Sequence, residues 1–215
     1  METIFYEYPN PVDNKNAGIE IRKEHELSQD ELFLLKQAGL DSYAPLEAWT
    51  ALGTNTQISY STHGIFRYFG KFPSTIAAHL IMQYTDEHDL VMDPMAGSGT
   101  TVLEAMLANR DCISYDVNPL AVLLQRVKTT HLEEEKLLEE LKHISENYLP
   151  LPAQRFDWQP VGIRDVDHWF LKETQDSIRG LIYLINQIED EKIKDFFSIC
   201  LASSIRPVSR ATTQQ

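Results

Sequence analysis

The stretch Leu90-Val91-Met92-Asp93-Pro94-Met95-Ala96-Gly97-Ser98-Gly99-Thr100-Thr101 constrains this chain more than any other. Leu90 to Met92 predict a short buried strand, and Val102, Leu103, Ala105, Met106 and Leu107 predict the apolar face of a helix. Between them lie an acid, a proline and two glycines one residue apart. Glycines in such a strand-loop-helix turn let backbone amides approach a ligand closely at a helix N-terminus. A second strand, Cys112-Ile113-Ser114-Tyr115, follows quickly and ends in Asp116. An acid there, about 20 residues past a glycine turn, is placed to grip a nucleotide-type ribose through its hydroxyls.

The ligand is narrowed by what the turn lacks. Val102 stands where a dinucleotide fingerprint carries its third glycine, and no Gly-Lys-Ser/Thr follows to make a P-loop. The full string is more specific than its glycine pair. Asp93 to Thr101, with Glu104-Ala105 on the helix and Asp116-x-Asn118-Pro119 after the second strand, resembles the S-adenosylmethionine site of DNA amino-methyltransferases. Family members usually carry Phe at the position of Met95, and the swap keeps an apolar wall near the adenine. The resemblance implies methylation of the exocyclic nitrogen of adenine or cytosine. It also implies cofactor contacts from Asp93, Pro94, Met95, Ala96, Gly97, Ser98, Gly99, Thr100, Thr101, Asp116 and Asn118.

An upstream segment extends the resemblance. In the family, a stretch of the form Thr-His-Gly-x-x-x-Tyr-x-x-Lys-Phe precedes the cofactor motif and helps enclose the methionine end of the cofactor. Thr62, His63, Gly64, Tyr68, Lys71 and Phe72 match it, with Arg67 and Phe69 where prolines are often seen. After Pro73, Ser74 reads as a helix cap, and Ile76, Ala77, Leu80, Ile81 and Tyr84 fall at helical spacing on a face expected against the first strand. Asn118 reads as a helix cap with Pro119 at the first helical position. Asn118 thereby fills the capping role and leaves Asp116 to a ligand, while Glu104 and Asp111 read as surface or helix-end acids.

A chain of 215 residues with 43% hydrophobic content can bury one substantial core. Its formal charge of −13 has the wrong sign for gripping DNA phosphates unless basic residues cluster locally or lie elsewhere. Cys112 and Cys200 sit in apolar runs and read as reduced core residues. The histidines and cysteines show no ligand spacing, so no metal site is expected. No apolar run is long enough to span a membrane and no signal peptide opens the chain, which predicts a cytoplasmic protein.

Residues 1 to about 21 read as an irregular arm. Ser28 and Glu31 form a capping box for a short helix ending at Gly39, and Trp49 marks a small segment packed on the main domain. Thr130 and Glu133 form a second box. Behind it, Leu137, Leu138, Leu141, Ile144 and Tyr148 line one face, with Glu133, Glu134, Glu135, Glu139 and Glu140 on a solvated face. Trp158 and Trp169 read as packing anchors in a connection. Two further helices carry Ile178, Leu181, Ile182, Ile185 and Ile188, then Ile193, Phe196, Phe197, Cys200 and Leu201. In the resembling family a helical insert here contributes to DNA contact, which makes Arg206 and Arg210 phosphate-contact candidates; a frayed terminus is the plain alternative.

The expected fold is therefore α/β: a partial Rossmann-like methyltransferase sheet with an N-terminal extension and a C-terminal helical segment. The extension spans residues 1–60, the S-adenosylmethionine-binding portion 61–130, and the helical insert, a candidate target-recognition region, 131–215. The family accepts the target amine with an Asp/Asn/Ser-Pro-Pro-aromatic tetrad, whose oxygens take the amine hydrogens while the aromatic ring stacks on a flipped base. No Pro-Pro pair occurs among the ten prolines of this chain, so no catalytic residue is assigned. The resemblance thus implies the cofactor-binding part of a DNA methyltransferase, as a fragment, a split subunit or a truncated frame. Its partners are then DNA and a C-terminal catalytic half or second subunit. Alternatives are an RNA guanine methyltransferase fragment and a non-catalytic cofactor-binding or interaction subunit.

Overall fold

A computed structural model describes residues 2–5, 18–37, 47–52, 54, 57–153, 155–158, 160 and 162–211. The chain divides into two compact units, residues 1–64 with 68–128, and residues 65–67 with 129–215.

The first unit begins with an antiparallel sheet where an irregular arm is expected. Strands β1 (Glu2–Phe5), β2 (Gly18–Lys23) and β3 (Glu47–Leu52) run in that order, pairing Ile19 with Ile4 on one side and with Ala51 on the other. Ile19-Glu20-Ile21-Arg22 alternates as a half-buried strand should. Ile19 and Ile21 are buried, with Trp49 and Ile76 packed against them. Helix α1 (Gln29–Gln37) opens with the expected reciprocal box: the Ser28 amide donates to Glu31 at 2.8 Å and the Glu31 amide to the Ser28 hydroxyl at 3.3 Å. Arg22 binds the same carboxylate, and together these partners hold Glu31 down at about 2. Gly39, expected to end this helix, lies outside the described residues.

Helix α2 (Ser74–Tyr84) packs on β2, β3 and the following helix α3 (Thr100–Leu107). Its N-cap is Pro73, not Ser74. Ser74 is buried and donates its hydroxyl to the Ile58 carbonyl at 2.6 Å. Tyr84 is exposed; Ala77, Ala78 and Ile81 carry the buried face. Strand β4 (Leu90–Asp93) leads into α3 and pairs in parallel with β5 (Asp111–Ser114), with Leu90 opposite Asp111 and Asp93 opposite Ser114. Parallel pairing requires a crossover, which α3 supplies. The β4 strand is not buried on both faces: Leu90 is 61% and Met92 62% exposed. Ile113 and Tyr115 are exposed as well, and on α3 Leu103 and Ala105 are buried while Met106 is exposed. Helix α4 (Pro119–Thr129) follows, and Asn118 caps it as expected by accepting the Leu120 amide at 3.0 Å.

The second unit is helical among its described residues: α5 (Glu134–Asn147), α6 (Val166–Trp169), α7 (Lys172–Ile185) and α8 (Glu191–Val208). Its core joins Ile144, Leu184, Ile185, Ile188, Ile193 and Phe197. The expected start at Thr130 is not where α5 begins: its first residue is Glu134, and its N-cap, Glu133, makes no side-chain cap bond. Leu137 and Tyr148 join Ile144 against the core, but Leu138 and Leu141 face solvent. Gly180 lets α7 approach the chain closely, since a Cβ there would meet the Leu149 carbonyl oxygen at 2.2 Å. Cys200 is exposed and not a core residue. Trp169 is likewise partly exposed, and the segment for which a frayed terminus is the plain alternative stays helical through Val208.

Candidate functional site

The glycine turn is closed by its own backbone and by β5. Gly99 donates to Ala96 O at 2.8 Å, Ala96 to Tyr115 O at 3.0 Å and Tyr115 to Asp93 O at 3.0 Å. Gly97 (φ +48°) and Gly99 (φ +74°) both occupy the left-handed region that side chains disfavour. Asp93 Oδ1 accepts the Met95 amide at 3.1 Å, leaving Pro94 and Met95 on the outer rim, Met95 84% exposed. Ala96, Ser98 and Thr100 are buried beneath, with the Ser98 and Thr100 hydroxyls 3.3 Å apart. Thr100 and Thr101 begin α3, whose first-turn amides have no intrahelical acceptor.

Asp116 locks the second strand to this turn. One carboxylate oxygen accepts the Gly97 amide and the other the Asn118 amide, each at 2.8 Å. Asp116 therefore has a structural task that the sequence did not show. Each oxygen retains acceptor capacity for a hydroxyl. The Asn118 side-chain nitrogen Nδ2 lies 3.5 Å from the Tyr68 hydroxyl, and a Cβ at Gly97 would meet the Tyr68 ring at 3.5 Å. Tyr68, Gly97, Asp116 and Asn118 thus close a ring of neighbours drawn from three separate segments.

The upstream loop is fixed from behind. Thr62 donates to the Lys128 carbonyl at 2.9 Å, and Lys71 donates to the His63 carbonyl at 3.2 Å. His63 is wholly buried, with Nε2 2.6 Å from Glu104 Oε1, and the Tyr60 hydroxyl donates to the same oxygen. Burial holds the imidazole below its ordinary value, outweighing the upward pull of Glu104. Glu104, expected at the surface, is 1% exposed because it projects from the same α3 face as Leu103 and Thr100. Asp111, read with it, does lie at the surface, as the first residue of β5. Phe72 is exposed near the end of this loop.

Helix α4 supplies two residues that carry no motif in the sequence. Gln125 donates to Gly97 O at 3.0 Å while accepting from the Ser114 hydroxyl at 2.7 Å, and Lys128 donates to Ser98 O at 2.7 Å. Burial pulls the Lys128 ammonium down to about 8, with nearby Lys71 acting in the same direction. Lys128 and Lys71 are both bonded to protein carbonyls, and acids flank the turn at Asp93 and Asp116. That donor set suits a ligand bearing ribose hydroxyls and a positive centre better than it suits a polyphosphate.

A family model described as DNA methylase, of the N6/N4 type, matches residues 8–124, more than half of the chain. The chain belongs to this DNA methylase family, whose methyl donor is S-adenosylmethionine. The Type II methyltransferase M.MvaI of Kocuria varians is 24% identical over 169 residues, covering 75% of this chain and 37% of the relative. The Type II methyltransferase M.MjaII of Methanocaldococcus jannaschii is 32% identical over 75 residues, covering 35% of this chain and 14% of the relative. The chain thus matches well under half the length of either relative, and no solved structure matches it. Among the described residues no helix is long and apolar enough to cross a membrane, and no cluster of His, Cys, Asp or Glu could hold a metal ion.

Proposed function

We propose that residues 61–130 form the S-adenosylmethionine-binding portion of a site-specific DNA methyltransferase acting on the exocyclic amino group of cytosine or adenine. The observation that carries this reading is the ring of Tyr68, Gly97, Asp116 and Asn118 around a turn with two left-handed glycines. Bound there, the cofactor would supply an electrophilic methyl group on a sulfonium sulfur. Asp116 accepts ribose hydroxyls, Met95 walls the adenine, and Tyr68, Phe72 and Thr62 enclose the methionine end. Asp93, Pro94, Ala96, Gly97, Ser98, Gly99, Thr100 and Thr101 shape the cradle. His63 and Lys71 act by holding the loop, through Glu104 and the His63 carbonyl respectively.

On this reading the β4 and β5 strands belong to a Rossmann-like sheet, and residues 1–60 are an N-terminal extension of the domain. A catalytic half or second subunit supplies the Pro-Pro-aromatic residues that this sequence lacks. The exposed row of Leu90, Met92, Ile113 and Tyr115 supports that partner, because an uncovered apolar sheet face is costly in water. Residues 131–215 contact target DNA. Arg206 lines an open cavity of about 480 Å³ with Arg164 and Trp169, and the Arg210 amide donates to the Trp169 carbonyl at 2.7 Å. Arginine beside an exposed indole is suited to phosphate and base contact. The protein works in the cytoplasm.

Thermal melting of the chain with different nucleotides tests the donor site. S-adenosylmethionine and S-adenosylhomocysteine at about 100 times their dissociation constants should stabilise it by about 2.7 kcal/mol. ATP and NAD should leave the melt unchanged. Stabilisation by ATP without any by S-adenosylmethionine would overturn the reading.

A further inference from the structure

We infer that Gln125 and Lys128, on the buried face of α4, are positioning residues that set the glycine turn for its ligand; the inference rests on the donor-site reading above. Two consecutive carbonyls of the turn, Gly97 O and Ser98 O, accept side-chain donors from this one helix, at 3.0 Å and 2.7 Å. In a trans peptide the carbonyl and the next amide point in opposite directions. Drawing Gly97 O toward Gln125 therefore directs the Ser98 amide away from α4. Drawing Ser98 O toward Lys128 fixes the peptide whose amide, on Gly99, closes the turn onto Ala96 O.

The clamp is itself held. Gln125 receives the Ser114 hydroxyl on its oxygen, which commits its nitrogen to Gly97. Gly99 packs directly on Gln125, where a Cβ would lie 2.7 Å from Cγ and 3.3 Å from Cα. The Lys128 carbonyl accepts the Thr62 hydroxyl, so the same turn of helix holds the upstream loop. Loop, second strand and glycine turn are thus registered on two residues spaced i,i+3, both nearly excluded from solvent.

Gln125→Met, Lys128→Met and Ser114→Ala in the full 215-residue chain test the proposal through two readouts. The first is hydrogen exchange of the Gly99 amide without ligand; the second is calorimetric affinity for S-adenosylmethionine. Gln125→Met and Lys128→Met should each speed Gly99 exchange at least tenfold and weaken the donor at least tenfold. Ser114→Ala leaves the Gln125 donor in place and should cost only two- to threefold in affinity. If Lys128→Met does not fold, Gln125→Met and Ser114→Ala carry the test. Exchange and affinity within twofold of wild type in Gln125→Met would overturn the clamp while leaving the donor site standing. A wild-type chain that does not bind the donor overturns the functional reading instead, and the exchange rates then decide the clamp by themselves.

Discussion

Nε2 of His63 lies 2.6 Å from Oε1 of Glu104, with both side chains almost wholly withheld from water. The Tyr60 hydroxyl donates to the same oxygen, so one carboxylate satisfies two buried groups. Removing it in Glu104→Ala strands both partners, and stability should fall by about 1–3 kcal/mol for each buried group left without its acceptor. The pair also sets a pH dependence. Burial keeps the folded imidazole below its ordinary 6.5, so on acidification the unfolded chain takes up a proton that the folded chain resists. The contribution of this group is fully present above pH 6.5 and is lost as pH falls through the window below it. Urea unfolding at pH 7.5 and 5.5 should show that loss in wild type and a flatter response in His63→Gln.

The two glycines of the turn should differ in what they tolerate. Gly99→Ala meets both a left-handed backbone and the body of Gln125, so it should destabilise the fold by about 1–3 kcal/mol. Gly97→Ala shares the strain, but its Cβ makes only ordinary contact with the Tyr68 ring at 3.5 Å. Its larger effect should fall on ligand affinity. Melting temperatures and calorimetric affinities of the two variants separate these outcomes; a more stable Gly99→Ala would contradict the packing described.

The acidic face of α5 should be silent. Glu134 and Glu139 are exposed, on the helical unit, and the donor-site residues lie on the other. Glu134→Gln with Glu139→Gln should leave donor affinity within twofold. A larger loss in the same titration would show that this face touches the site or a partner.

Local motifs make the glycine turn and the helix cap after it legible in the sequence, and long-range packing hides the rest. The glycine turn and the Asn118 cap follow from neighbours a few residues apart. Glu104, Gln125 and Lys128 are hard to find in the sequence because each is a polar residue inside an apolar stripe, beside Leu103, Leu124 and Val127. A charge within such a stripe is the signal that could have found Glu104 and Lys128. The antiparallel sheet is hidden in the sequence although Ile19-Glu20-Ile21-Arg22 alternates, because Trp49, the partner of Ile21, lies 28 residues further on. The exposure of Leu90 and Met92 is not legible because an apolar run cannot say whether one face of its strand stays open.

Holding a donor does not by itself accept a methyl group. No residue of this chain is assigned to take the hydrogens of the target amine, and positioning and charge stabilisation at the acceptor carry much of the barrier. Purified chain with DNA and labelled S-adenosylmethionine should transfer no label, and a cognate half bearing a Pro-Pro-aromatic motif should restore transfer. Turnover by the 215-residue chain without such a partner would contradict the division of labour proposed.

Calorimetric titration of S-adenosylmethionine into wild type and Asp116→Ala tests the donor site most directly. Wild type should bind one equivalent. Asp116→Ala loses the acceptor for the ribose and for the Gly97 amide, and should bind more weakly by about 1–3 kcal/mol, roughly one to two orders of magnitude. Equal affinities, or no binding by wild type, would contradict the account.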